Sequence, residues 1–120
     1  MWQLLGQAMA LSNDAAAQVD GTVGGDPTEV ALYSAAQQAG FDRATLEQTL
    51  PRIAELPFDA VRQCMTTVHR DGEHLLAFVK GAPEKILDLC TGVNEGERST
   101  ALDKPAWLAA ADKLAGQGYR

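Results

Sequence analysis

Cysteine is scarce in this 120-residue chain. Only Cys64 and Cys90 occur, and they are far apart. That argues against a disulfide-stapled scaffold, and two buried, reduced thiols are the expected state. Long apolar runs are missing too: no segment approaches the ~20 apolar residues of a transmembrane helix. The opening MWQLLGQAMAL has no basic leader and is too short to span a bilayer. The chain itself is therefore expected to be soluble. Positive charge is in deficit, with 10 basic against 16 acidic residues and a net charge of -6. Such a field repels a nucleic-acid backbone, so no nucleic-acid partner is expected. It leaves room for a small anionic ligand, because a few local donors outweigh a distant field. Despite 11 glycines there is no G-x-x-x-x-G-K-[ST] phosphate loop. His69 and His74, taken with Cys64 and Cys90, match no zinc spacing. Both histidines flank a hairpin turn, where exposure is expected, so no metal site is assigned.

What is present suits one domain with one modest core, since 46% of the residues are apolar. Trp2 to Leu11 reads as a short helix with little polar face. Ser12 to Gly25 holds turn formers and reads as a loop. Asp26-Pro27-Thr28-Glu29 is a helix start: Asp26 caps, Pro27 suits the first position, and Glu29 follows three residues after the cap. Gly40 ends that helix, and a shorter one spans Asp42 to Thr49. Arg52 to Phe58 reads as a strand, with Pro57 marking an edge or bulge. Cys64 to Arg70 and Glu73 to Lys80 flank Asp71-Gly72, a hairpin signal. Pro83 to Cys90 is a helix with Ile86, Leu87, Leu89 and Cys90 inward. Thr91 to Ala101 is a polar connection with room for a short strand. A last helix, capped by Asp103, carries Trp107, Leu108, Ala111 and Leu114 as its apolar stripe. Hairpin strands with segregated helices argue an α+β fold built on an antiparallel sheet. Gly116-Gln117-Gly118 stops the last helix, and Tyr119-Arg120 reads as the first step of a further element. Residues 1–120 are thus expected to form a single domain of a larger protein.

Three stretches could carry chemistry. In FVKGAPEKILDLC, Lys80 ends an apolar strand, which is costly unless its ammonium reaches water or an anion. Gly81 allows a close backbone approach or a left-handed turn. Pro83 opens a helix whose free N–H groups favour negative charge. In GGDPTEVAL, Glu29 is explained by a capping box, yet a carboxylate there can also accept from a ligand amino group; the two roles compete for one side chain. In LPFDAVRQCM, Phe58 is either core or a stacking surface at a pocket mouth. Arg62 is either a solvated strand-end charge or a phosphate contact.

GDPTE, then PFD…R..M, then KGAPE, in that order, resembles the nucleotide-binding (N) domain of cation-transporting P-type ATPases. KGAPE is the most specific element, and Gly118-Tyr119-Arg120 resembles the glycine-x-arginine that opens the domain's closing strand. The resemblance covers nearly the whole chain. It implies a mostly antiparallel twisted sheet flanked by helices. It also implies a domain that holds ATP by its adenine and presents the γ-phosphate to an aspartate on a separate phosphorylation domain. By the same resemblance, Phe58 stacks on the adenine and Glu29 hydrogen-bonds near its amino group. Lys80 and Gly81 line the adenine pocket and Arg120 reaches the phosphates; a lysine that often helps bind the nucleotide is Gln63 here, which either weakens ATP binding or hands the phosphate contact to Arg62. Many relatives carry F-D-[SA]-x-R-K-[RS]-M, whereas this chain has Gln63 at the lysine position.

The chain has no D-K-T-G, T-G-D or G-D-G-x-N-D motif. The phosphoryl acceptor and the Mg²⁺ ligands of Mg-ATP are therefore expected on another domain. The resemblance implies a cytoplasmic domain of an integral membrane pump. Its partners would be ATP and the phosphorylation and actuator domains of the same chain, with the piece itself monomeric. The alternative is an N-like domain with a degenerate site, serving as a regulatory or protein-docking module.

Overall fold

A computed structural model describes residues 2–120. The first helix, α1 (Trp2–Leu11), buries Gly6, Ala10 and Leu11 but leaves Trp2, Leu4 and Leu5 exposed. Gly6 is needed because any side chain there would overlap the ring of Phe41. The second helix, α2 (Pro27–Gln38), starts on its cap: Asp26 Oδ1 accepts from the N–H groups of Thr28 and Glu29 at 2.9 and 3.3 Å. It ends in a Schellman motif, in which Gly40 N–H donates to Gln37 O and Phe41 N–H to Ala36 O, with Gly40 at φ +90°. The third helix, α3 (Arg43–Thr49), is capped by Asp42, whose Oδ2 accepts from Thr45 N–H at 2.9 Å.

Ser12 to Gly25, expected to be a loop, holds a small ribbon instead. Strands β1 (Ala16–Ala17) and β2 (Val23–Gly24) pair antiparallel over two rungs. Two-residue strands are too short for apolar alternation to mark them.

The principal sheet is antiparallel, in the order β3-β4-β5: β3 (Arg52–Leu56), β4 (Cys64–Asp71) and β5 (His74–Gly81). β3 stops at Leu56 rather than Phe58, because Pro57 has no N–H to donate. Its irregularity falls between Arg52 and Ala54, not at the proline. The β4–β5 turn is centred one residue later than expected, on Gly72-Glu73, because Asp71 pairs with His74. Of these two, only Gly72 has positive φ (+60°), which is the type II′ pattern.

One face of the sheet meets α1 and α3 in a core of Leu11, Leu50 and Phe78, with Ala8, Leu46 and Leu76 packed around it. Burying each Leu or Phe stabilises the fold by about 1.5–3 kcal/mol. His69 lies on this face and is fully buried, contrary to the exposure expected of a hairpin histidine. It alternates inward with Met65 and Thr67 along β4, three residues before the turn, and its ring tilts against Phe78 at 5.5 Å. His69 Nδ1 lies 3.0 Å from Leu50 O, and Nε2 lies 2.9 Å from Thr67 Oγ1. A carbonyl only accepts, so Nδ1 carries the proton and Nε2 accepts from the threonine.

Beyond β5 come α4 (Pro83–Leu89), β6 (Val93–Glu95), β7 (Arg98–Thr100) and α5 (Lys104–Gly116). The connection expected to hold at most one short strand thus contains a hairpin, β6–β7. Lys104 forms an ion pair with Asp88, joining α5 to the end of α4. Only Ile86 and Leu87 of the inward set expected for α4 are half-buried. Leu89 is exposed, and so is Cys90, which lies just past the helix end. Of the two thiols, both free, only Cys64 is buried. Trp107 and Leu114 of the α5 stripe stay about half exposed. With Ile86, Leu87 and Leu102 they border an apolar cleft of about 540 Å³. Among the described residues no helix is long and apolar enough to cross a membrane. Over the described residues the fold is α+β, with five helices and antiparallel sheets.

Candidate functional site

A cavity of about 740 Å³ opens where α2, the loop after β3, the end of β5 and the chain end meet. Glu29, Phe58, Lys80, Gly81 and Arg120 all border it. These are five of the six residues singled out in the sequence, brought together from four separate segments.

Glu29 and Lys80 form its interior. The capping box is only half made: Asp26 receives the helix N–H groups, but the Glu29 carboxylate turns away to the sheet. Lys80 Nζ donates to Glu29 Oε1 at 2.5 Å and to Ser12 O at 2.5 Å. Their side chains are 28% and 15% exposed, so this is a largely sheltered pair at the cavity wall. A carboxylate and a carbonyl accept two of the three ammonium N–H groups, so no bound anion is needed to balance its charge.

Phe58 is 63% exposed, which rules out a core role. It sits on the loop between β3 and β4, where a ring edge or face is open to the cavity. Arg62 shapes that loop and does not itself border the cavity. Its Nε donates to Asp59 Oδ2 at 2.8 Å, and its Nη2 donates to the carbonyls of Pro57 and Cys64 at 3.0 and 2.8 Å. Asp59 also accepts from the N–H groups of Val61 and Arg62 at 2.9 and 2.7 Å. The Arg62 backbone N–H, followed by its side chain, holds the Asp59 carboxyl below the usual carboxylate range. The side chain read as a phosphate contact is therefore engaged with its own loop.

Gln63 borders the cavity and is the one non-glycine residue with positive φ among the described residues, at +53°. Its carbonyl accepts from Ala82 N–H at 3.0 Å, so the strained residue ties the Phe58 loop to the start of α4. Gly81 is explained by this contact more than by an approaching ligand. A Cβ at Gly81 would collide with Gln63 O and lie 2.6 Å from Cys64 Cα. The missing side chain faces β4, while the residue still lines the cavity.

Arg120 reaches the cavity through the end of α5. Gly118 N–H donates to Ala115 O and Tyr119 N–H to Leu114 O, with Gly118 at φ +87°, a second Schellman motif. That reversal sends the last residues back toward β5.

The sequence reading missed Ser12 and Asn13. Both are buried, and Asn13 Nδ2 donates to Met9 O and Glu29 O at 3.1 and 2.8 Å. Turn-forming composition places them in a loop, and nothing in their spacing marks partners so distant in sequence. No group of three or more His, Cys, Asp or Glu side chains converges as metal ligands among the described residues.

Residues 1–120 match the family model of the P-type ATPase cytoplasmic domain N. A probable cation-transporting ATPase F of Mycobacterium tuberculosis is 44% identical over 123 aligned residues, covering 99% of this chain and 13% of that protein. A calcium-transporting ATPase 1 of Bacillus cereus is 37% identical across 98% of this chain and 14% of its own length. Another, from Lactococcus lactis, is 38% identical across 76% of this chain and 10% of its own length. The chain thus spans only a small part of the relatives it matches. Over its own length the match is complete, and the α+β fold gathers residues of GDPTE, PFD and KGAPE on one cavity: the chain belongs to the P-type ATPase cytoplasmic domain N family.

Proposed function

We propose that this chain is the ATP-binding domain of a cation-transporting P-type ATPase, one domain of a membrane pump with the domain on the cytoplasmic side. The adenine lies in the 740 Å³ cavity, stacked on Phe58. Glu29 accepts from the amino group of the base, Lys80 and Gly81 wall the pocket, and Arg120 approaches the phosphates. Arg62 acts indirectly, by holding the loop that presents Phe58. The observation that carries this reading is an exposed aromatic ring on the same cavity as a sheltered carboxylate–ammonium pair and an arginine. An aromatic ring is a stacking platform for a purine, worth about 1–3 kcal/mol per base.

The γ-phosphate is delivered to an aspartate outside this chain, on a phosphorylation domain, and an actuator domain completes the cytoplasmic machinery. The Mg²⁺ of Mg-ATP is assigned to residues elsewhere, since the chain has no D-K-T-G or G-D-G-x-N-D motif. Binding by this chain alone is weak, in the high micromolar to millimolar range, about 4–6 kcal/mol.

The test is an ATP titration followed by amide chemical shifts. Perturbations centred on Glu29, Phe58, Lys80 and Gly81 are expected. Silence at several millimolar ATP would overturn the reading in favour of a degenerate docking module, an alternative supported by Gln63 at the cavity wall. Turnover of ATP by this chain alone with Mg²⁺ would contradict both.

A further inference from the structure

Two consecutive residues, Ser12 and Asn13, touch both members of the Glu29–Lys80 pair. Ser12 O accepts from Lys80 Nζ at 2.5 Å. Asn13 Nδ2 donates 2.8 Å to the Glu29 backbone carbonyl, and so fixes the first turn of α2, which carries the Glu29 carboxylate. The dipeptide is itself held from the opposite side. Arg52 Nη2 donates to Leu11 O and Asn13 O at 2.7 and 3.1 Å, and Arg43 Nη1 donates to Asn13 O at 3.1 Å. Asn13 Oδ1 accepts from Ala15 N–H at 2.8 Å, which fixes the orientation of its amide. Both residues are 1% exposed.

We infer that Asn13 is a positioning residue of the site: with the Ser12 carbonyl it forms a bracket that sets the distance and direction between the Glu29 carboxylate and the Lys80 ammonium. The geometry leaves few other ways to do this. Glu29 and Lys80 lie 51 residues apart, on α2 and β5. The substantial packing of α2 is against α1, and β5 packs on α1 as well. The segment leaving α1 is where the two meet. A hydrogen-bonded amide is directional, so it fixes the rotation of α2 about its axis in a way that apolar packing does not. A small rotation would swing a carboxylate one turn into the helix out of register with the lysine. A site whose charged groups are held in place by supporting hydrogen bonds loses affinity when that support is removed, even if every contacting residue remains.

This inference rests on the nucleotide reading for its effect on affinity, but not for its effect on the pair. The experiment uses the 120-residue chain, its Asn13→Ala variant, and Leu46→Ala as a control destabilised in the core away from the pair. Two signals are followed at a temperature where all are folded: the side-chain ¹⁵Nζ resonance of Lys80, and the titration with a non-hydrolysable ATP analogue. Asn13→Ala is expected to move or broaden the Lys80 signal and to weaken analogue binding by about fivefold to tenfold, the equivalent of one lost hydrogen bond. Leu46→Ala should change neither. If Asn13→Ala does not fold, Arg43→Met, which removes one outer hold on Asn13 O, should give the same changes at smaller size. A Lys80 signal and affinity identical to wild type in the folded variant would overturn the inference. If the wild-type chain shows no analogue binding, the nucleotide reading fails by itself, and the Lys80 signal still decides whether the bracket exists.

Discussion

Lys80 Nζ and Glu29 Oε1 lie 2.5 Å apart across 51 residues of sequence, and this pair joins the sheet to the helix at the cavity wall. It gives each side chain a structural role in addition to any role toward a ligand.

Replacement of Lys80 by alanine is therefore expected to reduce stability as well as nucleotide affinity. The substitution leaves a carboxylate that is 15% exposed and the Ser12 carbonyl without their donor. A loss of about 1–3 kcal/mol is expected. A double-mutant cycle with Glu29→Gln, read by urea denaturation, measures the coupling directly. A coupling energy of zero would mean that the pair contributes nothing.

Phe58→Ala should behave in the opposite way. The ring is 63% exposed, so the unfolding midpoint should hardly change. Affinity for ATP should fall by about 1–3 kcal/mol through lost stacking. Isothermal titration alongside thermal denaturation checks both halves; a stability loss with unchanged affinity would make the ring structural.

Gln63 is held at φ +53° on the loop that carries Phe58. Gln63→Gly relieves the left-handed strain against a smaller entropic cost, for a net gain of about 0.5–1 kcal/mol in a denaturation experiment. Gln63→Lys instead places a cation at the cavity wall. It should tighten ATP binding about threefold to tenfold at low salt, and the gain should shrink as salt is added.

His69 makes stability depend on pH. Burial is the main cause that holds its pKa below the usual histidine value, so the folded state keeps the ring neutral. The unfolded chain takes up a proton near the ordinary value of about 6.5. Below that pH the unfolded state binds more protons, so stability declines as pH falls from about 6.5 toward the lowered folded value. Urea midpoints measured through this window should fall in wild type and fall less in His69→Gln. The same slope in both would remove His69 as the cause.

The parts of the fold legible in the sequence are those set by local rules. Asp26 and Asp103 each cap the helix expected of them, because a cap needs only a carboxylate two or three residues before free N–H groups. Gly40 likewise ends α2 by the one conformation it adopts most cheaply. Where two partners compete, local reasoning stops short. Glu29 has a capping role available on its own helix, yet it bonds a lysine brought in by another element. Arg62 looked like a free charge or a phosphate contact, but it bonds the Asp59 carboxylate and backbone carbonyls of its own loop, and the carbonyls carry no side-chain signature. His69 is near a turn, and only the strand's alternation, carried three residues further, turns it inward. The candidate residues were legible one by one; their supports at Ser12 and Asn13 were not, since a backbone carbonyl and a buried amide leave no pattern in the sequence.

Gly81 lines both the 740 Å³ cavity and the apolar cleft beside α4 and α5. One peptide unit is thus a partition between the chamber that holds the Glu29–Lys80 pair and an oily cleft. Any side chain grafted there would press on Gln63 and Cys64 and disturb both chambers together. The two compartments cannot be tuned separately at this position; only the residues on either flank can alter one without the other.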